Sequence, residues 1–596
     1  MSDKEISWDL TEVFKGSDDP KIAVVIANLE KRAKEFIDDY KNKINSPSFS
    51  IDDLLVLLQE QEKFLANLFE LSMFSRLTFA ANMTIPSSRE LNNKVEEFSA
   101  KIRKELAFLE LEIGQLVYEK ESLVYDSKLA NYKHALEKLR RAHPHKLSEI
   151  EEQLIIEKDQ YGIKGWQQLQ SKWLNTRKFD IEVEGELKTL SYGEANGLLS
   201  HRDKDTRKST NKSIYGLLGQ DQDIFSAAMH NICSDWSKIS KRRKYDSPMH
   251  QSLIANDVDQ ETIDNLMKAI EEHAVLYQRY LKLKAKLLNI PKLGCEDIVA
   301  PLPDAPDMKY SWEKAKEIIL EAYGNFDDDF LSTAKDMFER NHIDASPRFG
   351  KRNGAFCSTW YSGKTSYILQ SFNGSLGNIY TLAHELGHAV HGYIATKEQT
   401  FSNARSPMVI AEVASIFGEL LVTDLLLAEA KTDEEKKAIL SKVLDGAGMA
   451  TFQVSARVWF EQSMYKTVEE GSFLDGKTIS KLWTGARDKI YGDAIDWFEE
   501  MDFEWTMKPH YYIPNFRYYN YPYVFAQMFV YAMYQLYKEQ GEAFIPKLKM
   551  ILKSGGSKSP KEFGEMMGLE ISKPDFWKLG MKQYERFVDE LEKLTE

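Results

Sequence analysis

Two histidines four residues apart, His384 and His388, constrain this chain more than any other feature of its sequence. Residues with that spacing on an α-helix lie on one face, about 40° apart around the axis, so both imidazoles can reach one metal ion. Glu385 lies beside them, where its carboxylate can take a proton from a metal-bound water. The chain has only 12 histidines in 596 residues, so the spacing is rare by chance and predicts a helical zinc site of the hydrolase type. Two solvated or core histidines on an ordinary helix are the alternative.

A third zinc ligand is expected from a helix that follows the motif, because catalytic zinc usually takes three protein ligands. Residues 408–427, MVIAEVASIFGELLVTDLLL, predict an apolar helix, and buried helices seldom carry unpaired carboxylates. Glu412 and Glu419 lie seven apart in it and share a face. We predict Glu412 as the third ligand and Glu419 as the acceptor that orients a ligand histidine. Glu398, in the polar loop between them and the motif, ranks below Glu412.

His391 excludes one other kind of zinc site. A metzincin has glycine and histidine where this chain has His391 and Ile394. His391 lies seven residues after His384 and faces the same way. We expect it close to the ligands without binding the metal, and a plain packing role is the alternative.

Charge and cysteine content exclude several classes of protein. The net charge of −14 is spread along the chain without a stripe rich in lysine and arginine, which argues against nucleic-acid partners. Cys233, Cys295 and Cys357 lie far apart, which excludes a disulfide framework and favours a reducing compartment. The first residues, MSDKEISWDLTEVF, lack a signal-peptide core, and no apolar run approaches the roughly 18 residues of a membrane span. We therefore predict a cytoplasmic protein without a membrane partner, and no oligomeric state is specified.

Most of the chain has the apolar periodicity of amphipathic helices. Long helices are predicted within residues 21–44, 51–82, 90–116 and 128–159, and hairpins at 178–191 and 354–374. These patterns predict a mainly α-helical protein with an N-terminal helical lobe at 1–195 and a lobe at 196–596 that carries the metal site.

The second hairpin leads into the motif helix through a glycine-rich turn at 371–378, SFNGSLGN. This order predicts a strand edge beside the metal, where an extended peptide can pair with free backbone groups. Recognition through the main chain makes the sequence preference loose. A hairpin that only packs against the helix is the alternative.

A cluster of polar aromatic residues lies far downstream at 507–529. It contains the last histidine of the chain, His510, and six tyrosines: Tyr511, Tyr512, Tyr518, Tyr519, Tyr521 and Tyr523. Peptide hydrolysis builds negative charge on the carbonyl oxygen, which Tyr O–H and His N–H donors stabilise. The cluster therefore predicts donors to a developing oxyanion, and tyrosines packed at a lobe junction are the alternative.

Taken together, these motifs resemble the zinc peptidase family of thimet oligopeptidase and oligoendopeptidase F, and the oligoendopeptidase F branch most closely. The resemblance is carried by WDLTEVF at 8–14, GKRNGAFC at 350–357, SFNGSLGNIYTLAHELGHAVH at 371–391, AEVASIFGE at 411–419 and HYY…YYNYPYVFA at 510–526. It covers both ends of the chain and the whole second half.

This resemblance implies a mainly α-helical, two-lobed metallopeptidase with a deep central substrate channel and a small β-sheet beside the zinc helix. It implies one Zn²⁺ per chain and endopeptidase action on short peptides, because such a channel excludes folded proteins. By position, His384, His388 and Glu412 correspond to the zinc ligands and Glu385 to the general base.

Outside the metal motif, His510 corresponds to the late histidine of the family and Tyr523 to the tyrosine that contacts the oxyanion. Many family members have a second tyrosine seven residues earlier, where this chain has Phe516, so Tyr519 and Tyr521 are further candidates for substrate contact. The segments that resemble the substrate-backbone strands contribute Gly354, Ala355, Phe356, Asn373 and Gly374.

We therefore expect a zinc-dependent endopeptidase of short oligopeptides in which Glu385 activates a zinc-bound water. A zinc carboxypeptidase or dipeptidyl carboxypeptidase is the alternative, and Arg517 and Lys364 are candidates for the cationic anchor that it requires. A helical binding protein that keeps zinc without activity is a further alternative. The intact Glu385 and His510 argue against that protein, since a structural site has no use for a base.

Overall fold

The computed structural model describes residues 5–303, 308–514 and 516–596, and this part of the chain is mainly α-helical. Short 3-10 turns and one π-turn, Met449–Gln453, join some of the helices, and the described strands form three small sheets. The predicted mainly α-helical class, with a small sheet beside the motif helix, is confirmed. Each described helix is too short or too polar to span a lipid bilayer.

The helices are numbered in chain order. Those before the motif are α1 (Pro20–Tyr40), α2 (Ile51–Ala81), α3 (Pro86–Glu105), α4 (Ala107–Glu119), α5 (Lys133–Ala142), α6 (Glu149–Tyr161), α7 (Ile163–Thr176), α8 (Tyr192–Gly197), α9 (Lys204–Gln220), α10 (Gln222–Arg242), α11 (His250–Asn256), α12 (Gln260–Glu272), α13 (Ala274–Leu287), α14 (Trp312–Gly324) and α15 (Asp328–Glu339). The motif helix and those after it are α16 (Leu376–Glu398), α17 (Met408–Ala411), α18 (Val413–Glu429), α19 (Asp433–Gly448), α20 (Val454–Glu469), α21 (Gly476–Tyr491), α22 (Tyr521–Gln540), α23 (Ile545–Ser554), α24 (Pro560–Met567) and α25 (Pro574–Thr595).

The strands are β1 (Lys178–Val183), β2 (Glu186–Ser191), β3 (Leu293–Gly294), β4 (Ile343–Asp344), β5 (Phe356–Trp360), β6 (Thr365–Leu369) and β7 (Ile495–Asp496). Strands β1 and β2 pair antiparallel, as do β5 and β6, so both predicted hairpins are confirmed. The predicted helix at 90–116 is instead broken at Leu106, where ψ of 4° interrupts the helical ladder between α3 and α4.

Two compact units divide the chain, and each contains three separate segments. The first unit holds the described parts of Met1–Pro144, Met308–Ala428 and Leu536–Leu569, and the second those of His145–Asp307, Glu429–Gln535 and Glu570–Glu596. The sequence patterns predict a single boundary at residue 195. The division into units differs from that prediction, because the chain leaves the first unit after Pro144 and returns to it twice.

The N-terminal helices of the first unit share one hydrophobic core. Ser50 and Asp53 form a capping box that starts α2, in which the side chain of each accepts from the backbone N–H of the other. Leu29 and Phe36 of α1 and Phe64 of α2 are almost fully buried in this core. In the second unit, α25 packs against α12, α13 and α19.

A three-stranded sheet of the first unit, in the order β4-β6-β5, lies beside α16. The N–H of Ile368 on β6 donates to the carbonyl of His342, just before β4, and the N–H of Gln370, just after β6, donates to the carbonyl of Asp344. The N–H and C=O groups of the alternate residues of β6 therefore face β5. Because main-chain groups alternate along a strand, the N–H and C=O groups of Cys357 and Thr359 point to the other edge of β5. Among the described strands, none pairs with that edge.

Two glycines of α16 allow its neighbours to approach closely. A Cβ atom added to Gly387 would lie 2.4 Å from the carbonyl oxygen of Ala414 and 2.5 Å from Cα of Ser415. At Gly392 it would lie 2.5 Å from Oγ1 of Thr359 on β5. The motif helix therefore contacts both α18 and the edge strand at distances that only glycine permits.

Replacing Gly387 with alanine tests this packing. We expect Gly387→Ala to lower the free energy of unfolding by about 1–3 kcal/mol, because main-chain atoms cannot rotate away from the added methyl group. Gly485→Ala in α21 is the matched control, since a Cβ there meets nothing within 4 Å, and it should leave stability unchanged or raise it by about 0.5–1 kcal/mol. Urea unfolding measures both. Equal stability of the two variants would contradict the close approach of α16 and α18.

Candidate active site

The turn before α16 fixes where the motif helix begins. The N–H of Asn378 donates to Oγ of Ser375 (3.3 Å) and the N–H of Ser375 donates to Oδ1 of Asn378 (3.4 Å), which is a capping box. The N–H of Asn373 donates to the same Oδ1 atom (2.8 Å). Gly374 has a φ of +84°, and its carbonyl accepts from the N–H of Tyr310 (2.9 Å). Asn373 and Gly374 thus build the turn.

Three side-chain donor atoms meet on α16 and at the start of α18. Nε2 of His384 lies 3.2 Å from Nε2 of His388 and 3.3 Å from Oε2 of Glu412, and the third side of the triangle is 3.4 Å. Donors each about 2.0–2.2 Å from a tetrahedral zinc ion are about 3.3–3.5 Å apart. The triangle therefore fits a zinc ion. Among the described residues, these are the group of histidines and carboxylates that could hold a metal.

Glu419 orients one of these histidines. Its Oε1 atom accepts a hydrogen bond from Nδ1 of His384 (2.6 Å), which leaves Nε2 of that ring directed at Glu412 and His388. Its backbone carbonyl accepts from Oγ1 of Thr423 one turn later (2.8 Å). The hydrogen bond selects the tautomer that a metal ligand requires.

Glu412 lies at the junction of α17 and α18, where the predicted helix at 408–427 is interrupted. Oγ of Ser415 donates to its Oε2 atom (2.8 Å). Burial opposes ionisation of Glu412, but the hydrogen bond with His384 and the electrostatic interactions with both histidines outweigh burial and lower its pKa to about 2. The carboxylate is therefore anionic at neutral pH, the form that binds a cation.

The two histidines of the triangle have opposite pKa shifts. Burial lowers the pKa of His388 to about 4, although Glu412 opposes the shift, so this ring is neutral and able to bind a metal. Burial also disfavours the charged form of His384, but its contacts with Glu412 and Glu419 prevail and raise its pKa well above the usual value. The carboxylates thus favour a positive charge at this position, which a metal ion supplies.

Glu385 is buried beside the triangle. Burial raises its pKa to about 7, the charges of Glu412 and Glu419 act in the same direction, and His384 and the backbone N–H of Cys357 oppose them. The interaction with Cys357 places the carboxylate at the open edge of β5. A carboxylate with a pKa near 7 can both accept and return a proton at neutral pH.

His391 is buried one turn beyond the donor triangle. Its Nε2 atom lies 3.1 Å from Oγ of Ser406, in the segment between α16 and α17. Burial lowers its pKa to about 4, and the neighbouring His388 adds to the shift. His391 is thus a neutral residue that ties this segment to the motif helix.

A cavity of about 1080 Å³ within the first unit opens onto the motif. His384, Glu385 and His388 line one side of it, and Ala355 and Phe356 at the start of β5 line another. The cavity is therefore lined by both histidines of the donor triangle, by the buried Glu385 and by β5, whose outer edge pairs with no described strand.

Of the five predicted substrate contacts around the hairpin, the structure brings Ala355 and Phe356 to this cavity. Gly354 precedes β5 with a φ of +88° and is not part of the lining. Asn373 and Gly374 belong to the turn before α16 and are not part of it either. The structure therefore does not support substrate contact by Gly354, Asn373 or Gly374 at this cavity.

The predicted tyrosine cluster lies in the second unit, where three of its residues form a chain of contacts. The hydroxyl of Tyr523 donates to the hydroxyl of Tyr519, and the Tyr519 ring lies 5.0 Å from the ring of His510. Phe516 lies against the same Tyr519 ring at 4.0 Å. Tyr523 is 38% exposed, unlike the buried Tyr521.

Burial and the positive charges of Lys508 and Arg457 hold the pKa of His510 below its usual value. The ring is therefore neutral at pH 7, and a neutral imidazole has one N–H group to donate.

Tyr521 differs from Tyr523 in that its side chain is buried. Its hydroxyl donates to the carbonyl of Ser252 (3.0 Å) and accepts from Nδ2 of Asn256 (3.1 Å), and the side chain is fully buried. The structure thus argues against the predicted substrate contact of Tyr521, because its hydroxyl is already used inside the second unit.

Two buried charged residues hold the backbone of the tyrosine segment. Nη1 of Arg517 donates to the carbonyls of His510 (3.3 Å) and Tyr511 (3.2 Å). Oε1 of Glu461 accepts from the backbone N–H of Tyr518 (2.8 Å), which has a φ of +56°. Arg517 is therefore occupied within the fold.

Several residues that support the site were missed by the sequence analysis. Ser415 lies three residues after Glu412, a spacing that places both on one side of a helix and could have revealed it. Ser406 carries no such signal. Nor does Tyr323, whose hydroxyl donates to the carbonyl of Ala383 (2.6 Å) next to the first ligand histidine.

The comparisons with known proteins agree with this site. The model of peptidase family M3 matches residues 197–583, and that of oligopeptidase F matches residues 118–179. Oligopeptidase PepF of Bacillus subtilis (strain 168) is 26% identical over 607 aligned residues, which cover 99% of this chain and 87% of the relative.

Solved structures show the same fold. A protein from Chlamydophila abortus superposes with a TM-score of 0.85 at 22% identity, covering 99% of this chain and 98% of that chain. Oligoendopeptidase-F from Enterococcus faecium superposes with a TM-score of 0.68 at 21% identity, covering 96% and 97%.

The predicted resemblance to the thimet oligopeptidase and oligoendopeptidase F family is thereby confirmed. The matching family model spans more than half of the sequence and includes every residue of the donor triangle. The chain belongs to peptidase family M3 and is a hydrolase of peptides.

Proposed function

We propose that this protein is a zinc-dependent endopeptidase that cleaves internal bonds of short oligopeptides. The observation that carries the proposal is the donor triangle of His384, His388 and Glu412, whose two histidines line one cavity together with the buried Glu385. A structural zinc site has no use for such a base, which disfavours an inactive binding protein.

His384, His388 and Glu412 would hold the metal in this proposal. A bound zinc ion supplies a Lewis acid that activates water and polarises the scissile carbonyl. Glu385 accepts the proton of the attacking water and returns it to the departing amine, and its pKa of about 7 suits both transfers. Glu419 keeps the His384 ring in the tautomer that leaves Nε2 free.

The open edge of β5 is the proposed site for the substrate main chain. Cys357 and Thr359 direct their N–H and C=O groups away from β6, and the N–H of Cys357 faces Glu385. An extended peptide that pairs there is held through its backbone, so a broad sequence preference follows.

His510 and Tyr523 are proposed as donors to the oxyanion, with Tyr519 as the partner that orients Tyr523. The role is carried over from the family resemblance. It is supported by the neutral His510 ring. The single O–H of Tyr523 donates to Tyr519 in this structure, so donation to the oxyanion requires that hydrogen bond to open or to reverse.

A carboxypeptidase is the second candidate, and its predicted anchors are occupied. Arg517 is buried and donates to backbone carbonyls. Nζ of Lys364 donates to the carbonyl of Thr396 and lies over the Tyr361 ring at 4.0 Å. Neither is therefore free to bind the terminal carboxylate of a substrate in this conformation.

Product mapping on a pool of short peptides separates these activities. We expect internal cuts in peptides with either a free or an amidated C-terminus, no cuts in a folded protein, and complete loss of cleavage with a zinc chelator. Mass spectrometry identifies the products. Cuts only near a free C-terminus would replace the proposal with the carboxypeptidase, and an absence of cuts would overturn both.

Replacing the base tests the role of Glu385. We expect Glu385→Gln to retain one zinc per chain and to lower kcat by about 10²- to 10⁴-fold, because the amide cannot accept the proton. His388→Ala is the control that should lose zinc itself. Metal analysis and steady-state kinetics are measured on the same samples. Near-normal turnover of Glu385→Gln would exclude it as the base.

Removing one hydroxyl tests the oxyanion donor. We expect Tyr523→Phe to lower kcat by about 10²-fold with a smaller change in KM, because the lost hydrogen bond is strongest in the transition state. Tyr521→Phe is matched in chemistry and should leave kcat unchanged, since its hydroxyl serves only Ser252 and Asn256. A large effect for Tyr519→Phe, with none for Tyr523→Phe, would move the role to Tyr519.

A further inference from the structure

Three arginines line the cavity that contains the motif, and each comes from a different element. Arg76 lies on α2, Arg352 precedes β5, and Arg405 lies in the segment between α16 and α17. All three belong to the first unit, as do the donor triangle and Glu385. The tertiary fold therefore gathers three positive charges on the walls of one substrate-sized space.

Contacts with the protein hold these arginines in place. Nε of Arg76 donates to the carbonyl of Ser72 (3.2 Å), and its guanidinium lies over the Phe69 ring at 5.8 Å. The guanidinium of Arg352 lies over the Phe356 ring at 5.4 Å, and its backbone N–H donates to Ala80 (2.9 Å). Such stacking on an aromatic face leaves the N–H fork of an arginine available to a ligand.

The segment that carries Arg405 is anchored on both sides of it. The carbonyl of Asn403 accepts from the N–H of Gly556 (2.6 Å), and the Nδ2 group of Asn403 donates to Asn131 (2.6 Å). Ser406 contacts His391 on the motif helix (3.1 Å). The backbone at Arg405 is thus anchored close to α16, and its side chain is exposed.

Within the described part of the chain, none of these arginines forms an ion pair with a carboxylate. Burial lowers the pKa of Arg76, Arg405 and Arg352 add to the shift, and Glu96 acts against it. The cations nearest in sequence behave differently: Arg348 and Lys351 both pair with the buried Asp344, at 2.6 and 2.7 Å. Arg348 and Lys351 thus have a carboxylate partner in direct contact, whereas among the described residues no carboxylate pairs directly with the three cavity arginines.

We infer that Arg76, Arg352 and Arg405 form an anion-binding subsite that takes a carboxylate group of the peptide substrate. The inference rests on the proposed peptidase function and adds a substrate class to it. Guanidinium groups bind carboxylates through paired N–H···O hydrogen bonds. All three arginines are solvent-exposed, so a carboxylate that enters the cavity can reach them. The carboxylate comes either from an acidic side chain or from the C-terminus of the peptide.

The surrounding apolar surface suits the rest of such a peptide. Leu65, Phe69 and Met73 line the same cavity on α2, beside Arg76. An extended peptide on the edge of β5 could therefore bury apolar side chains and still present one carboxylate to the arginines.

The test uses peptides of one length and one core sequence. An acidic residue is moved through the positions on both sides of the cleaved bond, with Asn or Gln as the neutral isostere, and each peptide has a free or an amidated C-terminus. We measure kcat/KM for the parent protein and for Arg76→Gln, Arg352→Gln and Arg405→Gln. Arg103→Gln is the matched control, because Arg103 is exposed on α3 of the same unit and lies outside the cavity.

We expect the parent to prefer the carboxylate-bearing peptide by about tenfold or more. Each cavity variant should reduce that preference, and Arg103→Gln should keep it. Added salt should weaken the preference in the parent. If amidation of the C-terminus removes the preference, the bound carboxylate is that of the C-terminus. If replacement of the acidic residue by Asn or Gln removes the preference, the bound carboxylate is that of a side chain.

Equal kcat/KM for charged and neutral peptides in a parent protein that cleaves both would overturn the inference and leave the peptidase function standing. Failure to cleave any peptide would overturn the peptidase function instead. The subsite is then tested by calorimetric binding of the acidic and neutral peptides to the parent and to Arg405→Gln. Identical affinity of both peptides for both proteins would overturn the anion-binding subsite.

A lysine replacement separates charge from geometry and also guards against misfolding. We expect Arg405→Lys to keep the fold, which circular dichroism checks, and to retain only part of the preference, because ammonium lacks the planar fork. A preference unchanged in both Arg405→Lys and Arg405→Gln would remove Arg405 from the subsite.

Discussion

The close approach of α16 to α18 and to β5 is the constraint on which the site depends. Gly387 lies against the main chain of α18 and Gly392 against Thr359, and neither position has room for a side chain. This spacing brings Glu412 within 3.4 Å of both ligand histidines and puts Glu385 beside the open strand edge. A wider separation would leave the donor atoms too far apart to share one ion.

Bringing these groups together concentrates charge in a partly buried place. Glu385, Glu412 and Glu419 surround two imidazoles, and their mutual repulsion is relieved in three ways: Glu412 stays ionised against His384, Glu419 accepts the Nδ1–H of His384, and Glu385 has its pKa raised to about 7. In the proposed function, a divalent cation at the triangle would complete the compensation. The same electrostatics would favour binding of that cation and hold the pKa of the adjacent Glu385 near 7.

Much of the site could be predicted from local sequence because its key members lie on one helix or close to it in the chain. His384 and His388 share a face at a spacing of four, and the helix with Glu412 and Glu419 follows after a short segment. The predictions for Tyr521 and Arg517 depended on whether their side chains are buried, which the sequence does not show. Tyr521 and Arg517 are chemically suitable, but the fold uses their polar groups internally. Asn373 and Gly374 resemble contact residues yet serve the helix start, because a turn and a binding strand favour the same small residues.

The sequence by itself determined the family, the mainly α-helical class, both hairpins and the candidate metal-binding group of His384, His388 and Glu412, since each depends on periodicity or spacing over a few tens of residues. Only the tertiary structure decided which segments form each compact unit, which edge of β5 is open and which polar groups are already occupied. It also decided that Arg76, Arg352 and Arg405 line one cavity. The physical reason is that close packing joins side chains hundreds of residues apart, and no local pattern records such a contact.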